Sequence, residues 1–142
     1  MKYFSTTKFL LAISALWGGV IVFSTAACAD TMQVTNWAEF KSAADAGKDI
    51  VLMNDITATD VYTINKDLKI SGNDGNTFVI SPNGTITKSL LTLKSGKKLE
   101  LSGVKISGFQ GITKGGVIQN GGTISTVENV VFDYNKSKGK GT

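Results

Sequence analysis

Three five-residue units constrain this chain more than anything else in it: Leu68-Lys69-Ile70-Ser71-Gly72, Leu99-Glu100-Leu101-Ser102-Gly103 and Val104-Lys105-Ile106-Ser107-Gly108. Each reads apolar, charged, apolar, Ser, Gly. Alternate side chains of an extended strand point to opposite faces, so the apolar pair turns inward, the charged residue meets water, and Ser-Gly turns a corner. Strands this short do not hold together as hairpin sheets, but each can stack on its counterpart one turn of a coil away. The pattern therefore predicts an all-β solenoid of short stacked strands. The adjacent units over 99–108 also fit a two-stranded hairpin around Ser102-Gly103. Against that alternative, Ser-Gly recurs at Ser107-Gly108, where a hairpin does not require it.

Further short apolar runs, Ile50-Val51-Leu52-Met53, Phe78-Val79-Ile80 and Leu90-Leu91-Thr92-Leu93, are separated by polar, glycine-rich turns. The fullest single turn spans Gly115 to Asn135. There Gly115-Gly116 is expected to corner at positive φ, Val117-Ile118 to follow as a short apolar pair, Gly121-Gly122 to corner again, and Val130-Val131-Phe132 to close the turn. Phe132 is expected in the core, with Tyr134 either facing the same way or marking the strand's end. Asn120 and Asn135 are expected to stack within turns and satisfy backbone groups through their amides, a role also open to Asn73, Asn83 and Asn129.

Ahead of this region lie two segments of different character. Residues 1–29 follow the pattern of a secretory signal peptide: Lys2 and Lys8, an apolar run from Phe9 to Phe23, then small residues with Ala27 and Ala29 placed for cleavage after Ala29. Two alternatives stay open, an uncleaved anchor, because no charge occurs from Phe9 to Ala29, and an acylated Cys28, although Thr25 stands where that signal carries a leucine-like residue. Residues 30–48 form the expected N-terminal helical cap. Asn36 and Glu39 are spaced as an N-cap and capping box, Trp37, Phe40 and Ala44 make one apolar face, and Gly47 stops the helix. A lone short helix before a strand-rich region suits the open end of a stacked sheet. Residues 49–142 are the solenoid, about four turns at roughly 20 to 25 residues each.

What is missing narrows the chemistry. All fifteen basic residues are lysines and histidine is absent, which excludes Ser-His-Asp and Cys-His sites, histidine metal clusters and arginine clamps. Cys28 is the one cysteine, and cleavage after Ala29 removes it, leaving no disulfide. Loss of Lys2 and Lys8 lowers the formal charge from +4 to +2, a weak balance that implies no partner. The basic tail Lys136-x-Lys138-x-Lys140 has no interleaved aromatic of the kind a nucleic-acid groove uses, so no nucleic-acid partner is expected.

At Gly115-Gly116-Val117-Ile118 followed by Phe132-x-x-Asn135 the chain resembles the repeats of bacterial autotransporter passengers and polymorphic outer-membrane proteins, with Val117 in place of the usual alanine. The helix with Trp37, the strand after it and Asn54-Asp55-Ile56 look like the capped entry to their β-helices. What the resemblance implies is a right-handed parallel β-helix, exported to the cell surface or beyond, acting as an adhesin or stalk toward a host-surface protein or glycan. In that family a C-terminal outer-membrane barrel follows the passenger. Here the sequence stops at Gly139-Lys140-Gly141-Thr142, which gives the expectation of a fragment, with a periplasmic location if the barrel is absent and membrane contact only through the signal peptide or that missing barrel.

No enzyme and no cofactor is expected. The rival is a carbohydrate-active fragment similar to pectate lyases and polygalacturonases, which share the fold. The lyases use an arginine base, missing here, and the hydrolases use convergent aspartates. Asp49, Asp55, Asp60, Asp67, Asp74, Glu100, Glu128 and Asp133 are expected to lie scattered on turns and surface. Asn73-Asp74-Gly75-Asn76 is expected to be a tight turn and not a calcium loop, because further acidic ligands are lacking. Gly115-Gly116 and Gly121-Gly122 match no phosphate-binding pattern.

Overall fold

The computed structural model describes residues 30–113 and 116–138. The signal segment 1–29 with Cys28, Gly115 of the expected corner and the residues from 139 onward lie outside them. A strand β1 (Thr31–Val34) and the helix α1 (Trp37–Ala46) come first. After them come β2 (Asp49–Leu52), β3 (Ile56–Ala58), β4 (Tyr62–Ile64), β5 (Leu68–Gly72), β6 (Phe78–Pro82) and β7 (Leu91–Leu93). The remainder are β8 (Lys98–Ser102), β9 (Val104–Ser107), β10 (Gln110–Ile112), β11 (Ile118–Asn120), β12 (Thr123–Glu128), β13 (Val131–Asp133) and β14 (Lys136–Ser137).

Every strand pairing among the described residues is parallel. One sheet runs β1-β2-β5-β8-β12, a second β3-β6-β9-β13, a third β4-β7-β11, and β10 pairs with β14. The chain thus visits the first, second and third sheets in that order three times and starts a fourth passage with β12 and β13. Registers Ile50 to Ile70, Leu68 to Leu99 and Leu99 to Ile124 step by 20, 31 and 25 residues. The long step exceeds the expected repeat because two loops are inserted between β5 and β8, one around the 3₁₀ turn Asn73–Gly75 and one between β6 and β7. That turn bears out the tight turn at Asn73-Asp74-Gly75. β8 and β9 belong to different sheets, with Gly103 at φ 59° between them, so the hairpin over 99–108 does not form.

The core is built from in-register stacks of inward side chains. Ile50, Ile70 and Leu101 form one and Ile56, Ile80 and Ile106 another, all fully or almost fully buried. Each such side chain contributes about 1.5–3 kcal/mol by burial. Phe132 continues the second stack above Ile106, yet it is 52% exposed, which corrects the expectation of a core phenylalanine. No described strand lies beyond β13, so the ring has an apolar neighbour on one side only. Tyr134, at φ 51° and exposed, marks the strand's end.

The glycine corners also differ from expectation. Gly116, Gly121 and Gly122 are not at positive φ. A Cβ on Gly121 would lie 2.7 Å from the Leu93 carbonyl oxygen, and one on Gly122 only 2.2 Å from that of Lys97. Close approach of the neighbouring layer, not backbone conformation, demands glycine at both positions.

Helix α1 takes the expected form with one refinement. Asn36 accepts from the Glu39 N–H at 2.9 Å, and Gly47 closes the helix in the left-handed region at φ 73°. The Glu39 carboxylate reaches one residue further back than a simple capping box, accepting from the Thr35 N–H at 2.7 Å and its hydroxyl at 2.9 Å. Trp37, Phe40, Ala43 and Ala44 are buried against the first strands. Phe40 stacks with Trp37 and meets Tyr62 of β4 edge-on. The helix covers the end at which β1, β3 and β4 are the edge strands of their sheets.

Candidate functional site

With apolar side chains committed inward, chemistry is confined to the outward faces. On the first sheet Lys69 of β5 pairs in register with Glu100 of β8, and Asp49 at the start of β2 borders Lys69. These residues, with Gly47, Asp67, Leu68 and Lys98, line a groove of about 360 Å³. The carboxylates are therefore not all scattered as expected: Asp49, Asp67 and Glu100 share one groove. Their spacing along the chain hides this, and only the register of three successive strands brings them together.

Each of two carboxylates in the groove already has a partner. Asp67 accepts the Lys98 backbone N–H at 3.0 Å, a corner bond from one layer to the next. Asp55 does the same for the Val79 N–H at 2.8 Å. Glu100 meets the Lys98 ammonium at 2.7 Å and accepts from the Ser125 hydroxyl at 3.4 Å. The Lys98 hydrogen bond holds the Glu100 carboxyl below its ordinary range, and Glu100 in turn raises Lys98. A glycosidase acid needs the reverse, a carboxyl kept protonated by burial or a like charge. Among the described residues no group of three His, Cys, Asp or Glu could hold a metal ion.

A second groove, of about 470 Å³, lies on the outward face of the third sheet. Thr63, Thr92 and Gln119 run across it in register, flanked by Val61, Lys88, Ser89 and Thr113. Among the described residues no carboxylate lines it. In the sequence Thr92 stood out only within the strand run Leu90-Leu91-Thr92-Leu93 and these residues were not grouped, although Tyr62-Thr63-Ile64 and Leu91-Thr92-Leu93 share an apolar-Thr-apolar form that placed them at equivalent points of successive turns.

The residues singled out in the sequence fall into two separate groups. Asn36, Trp37, Glu39, Phe40 and Gly47 form the helical end. The helix is pinned there by the Trp37 Nε1–H and Lys41 ammonium, both on Asp60, and by the Tyr62 hydroxyl on Asp45 at 2.8 Å. Burial, then the Asp45 carboxylate, pushes the Tyr62 hydroxyl far above its ordinary value. The Lys41 hydrogen bond, then that of Trp37, draws Asp60 below the usual carboxylate range. At the other end, Val117 is buried and Ile118 half-buried above Leu91, with Gly116 beside them.

Asn135 sits at this end as well. Its carboxamide accepts from the Phe109 N–H at 3.0 Å and donates to the Ile106 carbonyl at 2.8 Å. Asn120 instead turns on itself, accepting from the Gly122 N–H at 3.0 Å, and its register partner is Leu93. The two asparagines satisfy backbone groups, as expected, without stacking on each other. Of the lysine tail, Lys136 and Lys138 are exposed and Lys140 lies outside the described residues.

Comparisons of the chain with protein-family models, with curated proteins and with solved structures find no match. No described helix is long and apolar enough to cross a membrane.

Proposed function

We propose that this chain is a right-handed parallel β-helix of the autotransporter-passenger type, exported and displayed at or beyond the cell surface as a non-enzymatic adhesin or stalk. The observation that carries the reading is the threefold passage through the same three parallel sheets in the same order, with apolar side chains stacked inward. Such a stack presents its outward side chains as continuous ladders on rigid strands, suited to repeated weak contacts along a flank. The right hand follows from the rule that crossovers between parallel strands of one sheet are right-handed in about 98% of cases. Export rests on the signal-peptide pattern of residues 1–29. A host-surface protein or glycan is the partner this reading implies.

The test is binding of the purified chain to immobilised matrix proteins and a glycan panel, alongside protease accessibility on intact producing cells. Saturable binding to one of these ligands with surface cleavage is the expected result. Full protection inside the cell, or no binding at high concentration, overturns the reading.

One observation favours a carbohydrate-active alternative: Asp49, Asp67 and Glu100 line a common groove. Its weakness is the ion pair that keeps Glu100 charged. Release of reducing ends from an acidic polysaccharide, abolished in Glu100→Gln, would move the assignment to this alternative.

A further inference from the structure

The chain contains two Asn-Gly sequences, Asn83-Gly84 and Asn120-Gly121, and the fold treats them in opposite ways. In any Asn-Gly pair the glycine nitrogen can attack the asparagine side-chain carbonyl carbon, because no Cβ on the following residue obstructs the approach. At Asn120-Gly121 both reacting groups are occupied. The Gly121 N–H donates to the Leu93 carbonyl at 2.8 Å, and the Asn120 side-chain oxygen is engaged by the Gly122 N–H. The backbone is also pressed against the neighbouring layer, with 2.7 Å between a Gly121 Cβ position and the Leu93 oxygen.

At Asn83-Gly84 nothing comparable restrains the chain. The pair is an exposed bend after β6, and the Asn83 carboxamide and the Gly84 N–H have no hydrogen-bond partner among the described residues. Among the described residues other than its chain neighbours, no atom lies within 4 Å of a Gly84 Cβ position. Among the described residues the anchor of the pair is the Asn83 N–H, which donates to the Ala58 carbonyl at 2.7 Å and fixes the strand side of the bend, while Gly84 follows at φ 77°.

We propose that Asn83 is a self-modifying site, converted by the Gly84 backbone nitrogen into a cyclic imide and then by water into aspartate and isoaspartate. In the first step the Gly84 N–Cγ bond of Asn83 forms, the carboxamide C–N bond breaks, and the proton of Gly84 leaves with the amide nitrogen as ammonia. In the second, one water adds to either imide carbonyl, opening the ring to a carboxylate on the side chain or in the main chain. The co-reactant is water alone. The product places a new negative charge two residues from Thr85, which shares a groove with Lys136 and Lys138, so the flank becomes more acidic as the protein ages. This inference is independent of the adhesin reading.

The test is incubation of the purified folded chain at mildly alkaline pH and physiological temperature, followed by peptide mass spectrometry that separates amide from acid at each site. Conversion at Asn83 is expected to run roughly tenfold or more ahead of Asn120, the factor set by two hydrogen bonds that must open first. In denaturant the two sites should convert at comparable rates, and Asn83→Gln should remain unconverted at that position. Equal rates in the folded chain, earlier conversion at Asn120, or an Asn83 that stays amide after the denatured chain has converted would each overturn the proposal.

Discussion

Asn135 shows how much a single side chain holds in a stack of this kind. Its amide meets a backbone donor at Phe109, in the corner between β9 and β10, and a backbone acceptor at Ile106 of β9. Asn135→Ala leaves the N–H of the buried Phe109 without its acceptor, and we expect a loss of about 1–3 kcal/mol in denaturant unfolding. Gly72 is a different case. Its φ of −79° is ordinary, but a Cβ there would lie 1.9 Å from the Asn76 carbonyl oxygen and 2.7 Å from that of Gly103, both backbone atoms. Gly72→Ala must shift the main chain and should cost at least the roughly 1–3 kcal/mol of an overpacked core. Gly96, at φ 73° with open space around it, makes the control. Gly96→Ala should cost about 1–2 kcal/mol through conformation alone. A smaller loss at Gly72 than at Gly96 would show that the layers part more easily than this packing implies.

Among the elements, α1 depends on charge as well as apolar contact. Asp60 is held below its ordinary 3.8, first by the Lys41 hydrogen bond, and Glu39 below 4.5, first by the Thr35 N–H. A carboxyl whose folded pKa lies under its unfolded one contributes fully above the unfolded value and loses that contribution as pH falls through the folded one. Helix docking should therefore be insensitive to pH near neutrality and weaken below about pH 4. Asp60→Asn should flatten much of that acid limb, as measured by the thermal midpoint across an acid titration. An unchanged limb would place the acid sensitivity elsewhere.

The helix was legible from Asn36, Glu39 and Gly47 because capping is decided by neighbours in sequence. The strands β5, β8 and β9 were legible from their shared five-residue form. β3 and β14 were not, since two or three residues carry too little periodicity and their pairing is set by residues a full turn away; β4 was missed although Tyr62-Thr63-Ile64 repeats the form of Leu91-Thr92-Leu93. The groove of Asp49, Asp67 and Glu100 was hidden for the same reason, and Phe132 was misplaced because alternation gives a side chain's direction but not what lies beyond it.

For the molecule as a whole, the two ends of the stack are unlike, and stability should follow. At one end α1 seals the core with Phe40 fully buried. At the other, Val127 and Phe132 stand in register above Leu101 and Ile106 but are 58% and 52% exposed. In a stack where each layer touches only its neighbours, local opening costs the contacts of the layers that open, so a layer with one neighbour opens most readily. Amide hydrogen exchange should accordingly be fastest in β12, β13 and β14, slow through β8 and β9, and slowest in β5 and β6, with β2 kept slow by the helix. Phe40→Ala should cost about 3–5 kcal/mol and speed exchange in β2 and β3 before it affects β9. Uniform protection from β2 to β13, or a Phe40→Ala effect spread evenly over all strands, would mean that the layers unfold as one unit and that the stacked, neighbour-by-neighbour account of this fold is wrong.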